Sequence, residues 1–348
     1  MASDLIFKNF SEIDLDDPFF DSLKNDYPGF ELWYSKKQND GATAYVNYKN
    51  GSLEGFLYFK DDGSIVDDVQ PLLKGSRILK IGTFKINPHR TRLGERFIKI
   101  VLDHVLRENY ELCYVTILDK HEALIKLFEK YGFVKEGTKT SSAGIEGVFV
   151  KRFARVSDDI VSNYPLIQIE GVKKYILGIY PQYHTVMFPD SKLITEKDVR
   201  IKDVSHTNSI HKVYVCRIDV ENLKRGDILV IYRTASRGTA EYSSVVTSVC
   251  VVEEVRSQND FDSFEDFFKY ASSYSVFDKE DFRKWYLKGR CKTIKMLYNL
   301  ALPKRVVRHD LIETVGLNRE EYWGFFELSD EQLMAILKAG DTNDRYII

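Results

Sequence analysis

ILKIGTFKINPHRTRLGERFIKIVLDHVLRE, residues 78–108, decides how the first half of the chain is read. Arg77 to Ile86 is β-rich and ends before Pro88, which cannot donate to a strand ladder, so a strand is expected there. Leu93 to Glu108 then places Phe97, Ile98, Val101, Leu102 and Val105 at helical spacing. Between them lies a short loop, His89-Arg90-Thr91-Arg92-Leu93-Gly94-Glu95-Arg96, with three arginines and one glycine. Unpaired N–H groups and the helix dipole favour an anion at such a strand-to-helix junction, and three guanidinium groups suit a pyrophosphate.

C-terminal to this stretch, Leu112 to Leu118 predicts a short apolar strand. Glu122 to Tyr131 predicts a helix whose Ala123, Leu124, Leu127, Phe128 and Tyr131 form one apolar stripe. Gly132 stops it as a C′ glycine. Phe133–Val134 and Gly147–Phe153 read as closing strands around a flexible 138–144 segment. On the N-terminal side, Asp16–Tyr27 reads as a helix, followed by extended Phe30–Ser35, Ala42–Tyr48 and Ser52–Lys60. Asn50-Gly51 is the type I′ hairpin signal between the last two. A first domain over residues 1–155 follows, with 156–348 as a second. At 348 residues, 44% hydrophobic, 29% charged and a net charge of −2, the chain reads as a folded two-domain protein rather than a disordered or fibrous one.

The order of meander, strand, arginine-rich loop, helix, strand, helix and Gly132-Phe133 strand resembles the GNAT acyltransferases, over roughly residues 5–153. The resemblance implies an α/β fold with a mixed central sheet and flanking helices. It also implies acetyl-CoA or another acyl-CoA as cosubstrate, with an amine attacking the thioester directly. By the same resemblance Phe84, Lys85 and Ile86 align the pantetheine, residues His89 to Arg96 hold the pyrophosphate, and Phe128 lies beside the cofactor. Two departures stand out. Arg92-Leu93-Gly94 keeps only the last of the family's two loop glycines, and Phe128 replaces the family's frequent tyrosine acid. Asp119 and Tyr131 are the catalytic candidates, with His89, His121 and Glu122 as further possible bases; Asp119 also reads as an N-cap.

The second half turns to short strands punctuated by signals such as Arg225-Gly226-Asp227, with helices at Phe264–Ala271, Asp278–Leu287 and Ser329–Lys338 and a frayed tail after Gly340. Gly226-Asp227 leading into Ile228–Tyr232 resembles the PUA-like superfamily, with its ASCH and EVE modules. That implies a small β-barrel with added helices, and a nucleic-acid cleft for which Tyr183-His184 and Arg233–Ser236 are candidates. From Arg283 to Arg308 there are nine Lys or Arg and no Asp or Glu. Lys284, Lys288, Arg290, Lys292, Lys295, Lys304, Arg305 and Arg308, interleaved with Trp285 and Tyr286, suit phosphates and unpaired bases, as in RNA or tRNA. A solvated basic face is the bland alternative. Three functions stay open: an N-acetyltransferase with an RNA-linked acceptor, a non-catalytic nucleic-acid-binding or regulatory protein, and a protein-lysine or small-amine acetyltransferase with a scaffold domain. Cys113, Cys216, Cys250 and Cys291 show no metal or disulfide spacing, and no metal is expected. No leader or 20-residue apolar run is seen, so a cytoplasmic protein without membrane partners is expected.

Overall fold

The computed structural model describes residues 4–88, 91–154, 156–193, 204–236 and 238–348. They divide into two compact units, the first ending at Asn163 and the second beginning at Tyr164. No described helix is long and apolar enough to cross a membrane.

In the first unit the elements run β1 (Asp4–Asn9), α1 (Asp21–Asp26), α2 (Phe30–Asn39), β2 (Thr43–Lys49) and β3 (Ser52–Asp61). A two-stranded ladder, β4 (Ile65–Val66) and β5 (Leu73–Lys74), leads to β6 (Ile78–Ile86), α3 (Leu93–Arg107), β7 (Leu112–Leu118), α4 (Glu122–Lys130), β8 (Val134–Ser141), β9 (Gly144–Arg152) and α5 (Ile160–Asn163). The main sheet is ordered β1-β2-β3-β6-β7-β9-β8, and every neighbouring pair is antiparallel except β6–β7, which is parallel. A parallel pair needs a crossover, and α3 supplies it. Its stripe of Phe97, Ile98, Val101, Leu102 and Val105 is fully buried.

Two expectations fail here. Phe30–Ser35 is the start of α2, not a strand. Its aromatic residues suit a sheet, but Phe30 and Tyr34 stand four apart and both are buried, which is helical spacing. Left-handed Gly29 (φ 89°) turns the chain into it. The 138–144 segment is not a loose connection either: β8 and β9 close tightly from Ser141 to Gly144.

The second unit contains β10 (Lys174–Ile179), α6 (Pro181–Met187), α7 (Ser205–Asn208), β11 (His211–Cys216), β12 (Ile228–Arg233), α8 (Ala240–Ser243) and β13 (Val245–Ser257). Then come α9 (Phe264–Ser272), α10 (Lys279–Leu287), β14 (Lys292–Val307), α11 (Arg308–Glu313), β15 (Phe325–Leu328) and α12 (Asp330–Ala339). Its six strands are ordered β11-β14-β13-β12-β10-β15. Among the described residues no pairing closes this sheet into the small β-barrel expected from the sequence. Gly226 (φ 95°) makes the turn into β12, and buried Asp227 accepts the N–H groups of Lys173 and Lys224 at 2.9 and 2.8 Å. Thr185–Met187 belongs to α6, because Pro181 at the first helical position presets the turn. The tail is held rather than frayed: Ile348 N–H donates to Ile167 O at 3.0 Å and Tyr346 is buried.

Candidate functional site

β6 and β7 pair only from Ile78–Ile81 against Leu112–Val115, and beyond that point they diverge. Each stays paired on its outer side, β6 with β3 as far as Ile86 and β7 with β9 as far as Leu118. The inner edges, Gly82–Ile86 and Thr116–Leu118, therefore face each other across a gap. A bulge at Gly82 coincides with the parting: Tyr58 pairs with Thr83 and Phe59 with Ile81, leaving Gly82 unmatched. A bulge bends its strand and strengthens the local twist. Glycine is needed there because a Cβ would lie 2.8 Å from the Tyr58 ring.

The gap opens into a cavity of about 1100 Å³, lined by β6, the far half of β7, the start of α4, the α1–α2 corner and the β8–β9 hairpin. Phe84, Lys85 and Ile86 line it, as do Pro88 and Leu127. At this end α3 begins. Its N-cap, Arg92, is left-handed (φ 58°, ψ 30°), the conformation that a glycine adopts without strain. Arg92 therefore holds a left-handed backbone at the start of α3 while carrying a guanidinium. Gly94 packs closely: a Cβ there would stand 2.8 Å from Leu127 Cδ2, so that α3 or the Leu127 side chain would have to shift, and 3.5 Å from Ile86 Cδ1. The first turn of α3 is consequently seated against the residues that line the cavity. Of the anion-loop candidates, Thr91, Arg92, Leu93, Gly94, Glu95 and Arg96 lie at this helix start, whereas His89 and Arg90 lie outside the described residues. Glu95 is buried and pairs with Lys130 at 3.1 Å, so it helps to tie α3 to α4.

The other end of the cavity carries titratable groups. Asp26 accepts Lys120 Nζ at 2.5 Å and lies 3.2 Å from His121 Nε2. Tyr27, Glu122, Lys80, Lys139, Ser141 and Glu146 also line the wall. Burial, reinforced by the charges of Glu146 and Asp26, pushes the Tyr27 phenol up to about 12, so it stays protonated at neutral pH. Burial depresses the Lys80 ammonium, with the charge of Lys139 adding to the effect, and burial likewise depresses Lys85. Lys85 donates to Phe19 O and Ser22 Oγ.

The two catalytic candidates from the sequence do not line this cavity. Asp119 has a 72% exposed side chain paired with Lys135 at 3.2 Å, and the N-cap of α4 is His121 instead. Tyr131 is fully buried at the C-terminus of α4, where its carbonyl accepts Lys151 Nζ at 2.7 Å. Phe128 is also buried, its ring centroid 5.1 Å from Phe84 and 4.8 Å from Phe133. His121 and Glu122 do reach the cavity. Asp26, Tyr27 and Glu146 were not singled out in the sequence; a lone acid between Ile145 and Gly147 in a strand-like run was the available signal for the last.

In the second unit the basic run does not form one surface. β14 spans about 50 Å at ~3.3 Å per residue, so its two ends are far apart. Lys292 is 13% exposed and paired with Asp219 and Glu221 at 3.3 and 2.8 Å, and Lys295 pairs with Glu253 at 3.4 Å. Arg305 Nη2 donates to Asp190 O, and Arg308 lies 4.4 Å from the Trp323 ring. Lys304 is exposed at this far end. Trp285 and Tyr286 pack edge-on against Phe277 and Phe264. Lys284, Lys288 and Arg290 are exposed together on and after α10. Of the cleft candidates, His184 is fully buried and its Nε2 lies 2.7 Å from Thr247 Oγ1. Glu241, His309 and Glu313 approach metal-like spacing, but Arg319 already bridges the two carboxylates at 2.6 and 2.8 Å.

No family model and no curated protein matches the sequence. Solved structures similar to parts of the chain include ASCH from Zymomonas mobilis, at 11% identity and TM-score 0.34, covering 48% of this chain and 94% of that one. Salmonella typhimurium yncA, solved with its cofactor acetyl-CoA, is similar at 16% identity and TM-score 0.32, covering 46% and 99%. A GNAT-family acetyltransferase from Streptococcus pneumoniae is similar at 16% identity and TM-score 0.26, covering 35% and 73%.

Proposed function

We propose that the first unit is an acyl-CoA-dependent N-acyltransferase of the GNAT kind. The observation that carries this reading is the parting of β6 from β7 past Ile81 and Val115, which leaves two strand edges open on a cavity that ends at the first turn of α3. An extended chain bearing amide groups fits an open strand edge by adding to it as a strand would. Pantetheine is such a chain. The Gly82–Ile86 edge runs about 16 Å at ~3.3 Å per residue and would hold it. The α3 N-terminus, Arg92 and Arg96 would take the pyrophosphate through backbone N–H groups and guanidinium donors.

When bound, acyl-CoA supplies a thioester: the acceptor nitrogen forms a bond to the acyl carbon, the C–S bond breaks, and the nitrogen gives up a proton. His121, which lines the cavity with its Nε2 3.2 Å from the Asp26 carboxylate, is the imidazole that would take that proton. The thiolate leaves at a pKa near ~8.5 without needing a dedicated acid, so buried Phe128 is no obstacle. Holding the two reactants side by side supplies much of the rate. For the second unit we propose a phosphate-bearing partner such as RNA on the face of Lys284, Lys288 and Arg290.

A second reading, a silent acyl-CoA-binding or regulatory module, is favoured by one fact: α4 presents no hydroxyl to the cavity at Phe128 or Tyr131. Calorimetric titration with acetyl-CoA, followed by an assay for thiol release with an amine panel, separates the readings. Binding with release supports the enzyme, binding without release supports the silent module, and no binding removes the enzyme and leaves a regulatory module that does not use acyl-CoA.

A further inference from the structure

The acids on the cavity wall are not equivalent. Asp26 is neutralised by Lys120 and approached by His121, and Glu122 pairs with Lys126 at 3.8 Å. Glu146 is different. It is 4% exposed, it lines the cavity, and its hydrogen bond is the one that Ser141 Oγ donates to Oε1 at 3.0 Å. No cationic side chain among the described residues pairs with it. A carboxylate taken out of water is costly unless a cation or several donors meet it. β9 keeps it in place: Glu146 pairs with Leu118 at the end of β7, past the point where β6 and β7 cease to pair, and lines the cavity close enough to the Tyr27 phenol for its charge to reinforce burial in raising that group. Tyr27, Phe30 and Trp33 supply aromatic side chains to the cavity lining. A carboxylate beside aromatic faces is the arrangement that receives an ammonium group on an apolar body, through a charge-assisted hydrogen bond and cation–π attraction.

We propose that Glu146 is the acceptor-recognising residue of this cavity, and that the acceptor is an alkylammonium compound with an aromatic or apolar body, its nitrogen held by the Glu146 carboxylate. This rests on the acyl-transfer reading for its name as an acceptor, but the binding itself does not require acyl-CoA. Ser141 fixes the carboxylate, and Tyr27 offers its hydroxyl alongside. Glu146 is a positioning and specificity residue: it selects charge and places the nitrogen near the thioester.

The test uses the full chain, with 2-phenylethylamine and its neutral counterpart 2-phenylethanol as calorimetric probes at pH 7. Wild type should bind the amine about tenfold or more tightly than the alcohol, the scale of one charge-assisted contact. Glu146→Gln keeps a hydrogen-bonding partner for Ser141 and removes the charge, so the preference should fall to within about twofold while the thermal unfolding midpoint stays close to that of wild type. Tyr27→Phe should keep most of the preference. Wild type failing to bind the amine, or binding both probes equally, overturns the proposal, as does a folded Glu146→Gln variant that keeps the preference. Acetyl-CoA titration of the same sample separates this from the larger reading. Amine selectivity without acetyl-CoA binding sinks acyl transfer and leaves the ammonium site, whereas acetyl-CoA binding without amine selectivity sinks the ammonium site alone.

Discussion

If the first unit binds acetyl-CoA as proposed, replacing Gly94 with alanine should weaken that binding far more than it weakens the fold. The added Cβ would lie 2.8 Å from Leu127 Cδ2. Carbon atoms rest at about 3.5–4.0 Å, so one side must give by roughly 1 Å. If the first turn of α3 lifts, its N–H groups move off the phosphates; if Leu127 rotates instead, its methyl group enters the cavity that it lines. The first outcome loses a charge-assisted contact worth about 1.5–3 kcal/mol, a weakening of roughly 10- to 100-fold, and the second narrows the cavity. Stability changes less. Alanine in place of glycine gains up to about 1 kcal/mol in a helix, against about 1–3 kcal/mol for overpacking. Calorimetry with acetyl-CoA and a denaturant titration read the two quantities separately. Adding Leu127→Ala should make room for the new methyl group and restore most of the affinity. A Gly94→Ala variant that binds acetyl-CoA like wild type, or a double variant that stays as weak as the single one, would refute the reasoning.

Phe128→Tyr should not raise thiol release, because the ring is sealed between Phe84 and Phe133; burying its hydroxyl should cost about 1–3 kcal/mol in a denaturant titration. Burial, with the charges of Arg233 and Arg305 adding, depresses His184 from 6.5 to about 3, so its contribution to stability is complete above pH 6.5 and is lost as pH falls toward 3. Across that window the loss is about 1.4 kcal/mol per pH unit, and the difference in unfolding free energy between wild type and His184→Gln at pH 7.5, 6 and 5 should shrink accordingly. If the second unit binds single-stranded RNA, Lys288→Ala or Arg290→Ala should lower affinity and reduce the salt slope by about one each. Lys292→Ala, already neutralised by Asp219 and Glu221, should stay within about twofold by filter binding, and a larger effect there would place the RNA elsewhere.

Periodicity made much of the first unit legible. The α3 and α4 stripes, the Asn50-Gly51 hairpin and the β6–loop–α3 order are local signals, since each depends on residues within a few positions of one another. The same locality explains the errors. Phe30 to Ser35 is aromatic enough for a sheet, yet Phe30 and Tyr34 are buried on one helical face among Phe10, Phe20 and Phe56, residues distant in sequence. The basic run from Arg283 to Arg308 looked like one surface because charge was counted along the chain. Folding sends part of it onto α10 and the rest along a 16-residue strand whose acidic partners, Asp219, Glu221 and Glu253, come from elsewhere.

By itself the sequence determined the arginine-rich helix start and the elements around it, because backbone preference and apolar spacing act over short range. Only the tertiary structure decided where β6 leaves β7, since strand parting is a property of pairing between segments some thirty residues apart. It also decided which acids share the cavity. Asp26, His121 and Glu146 come from a helix end, a loop and a strand, and a carboxylate's environment is set by the charges that folding brings near it.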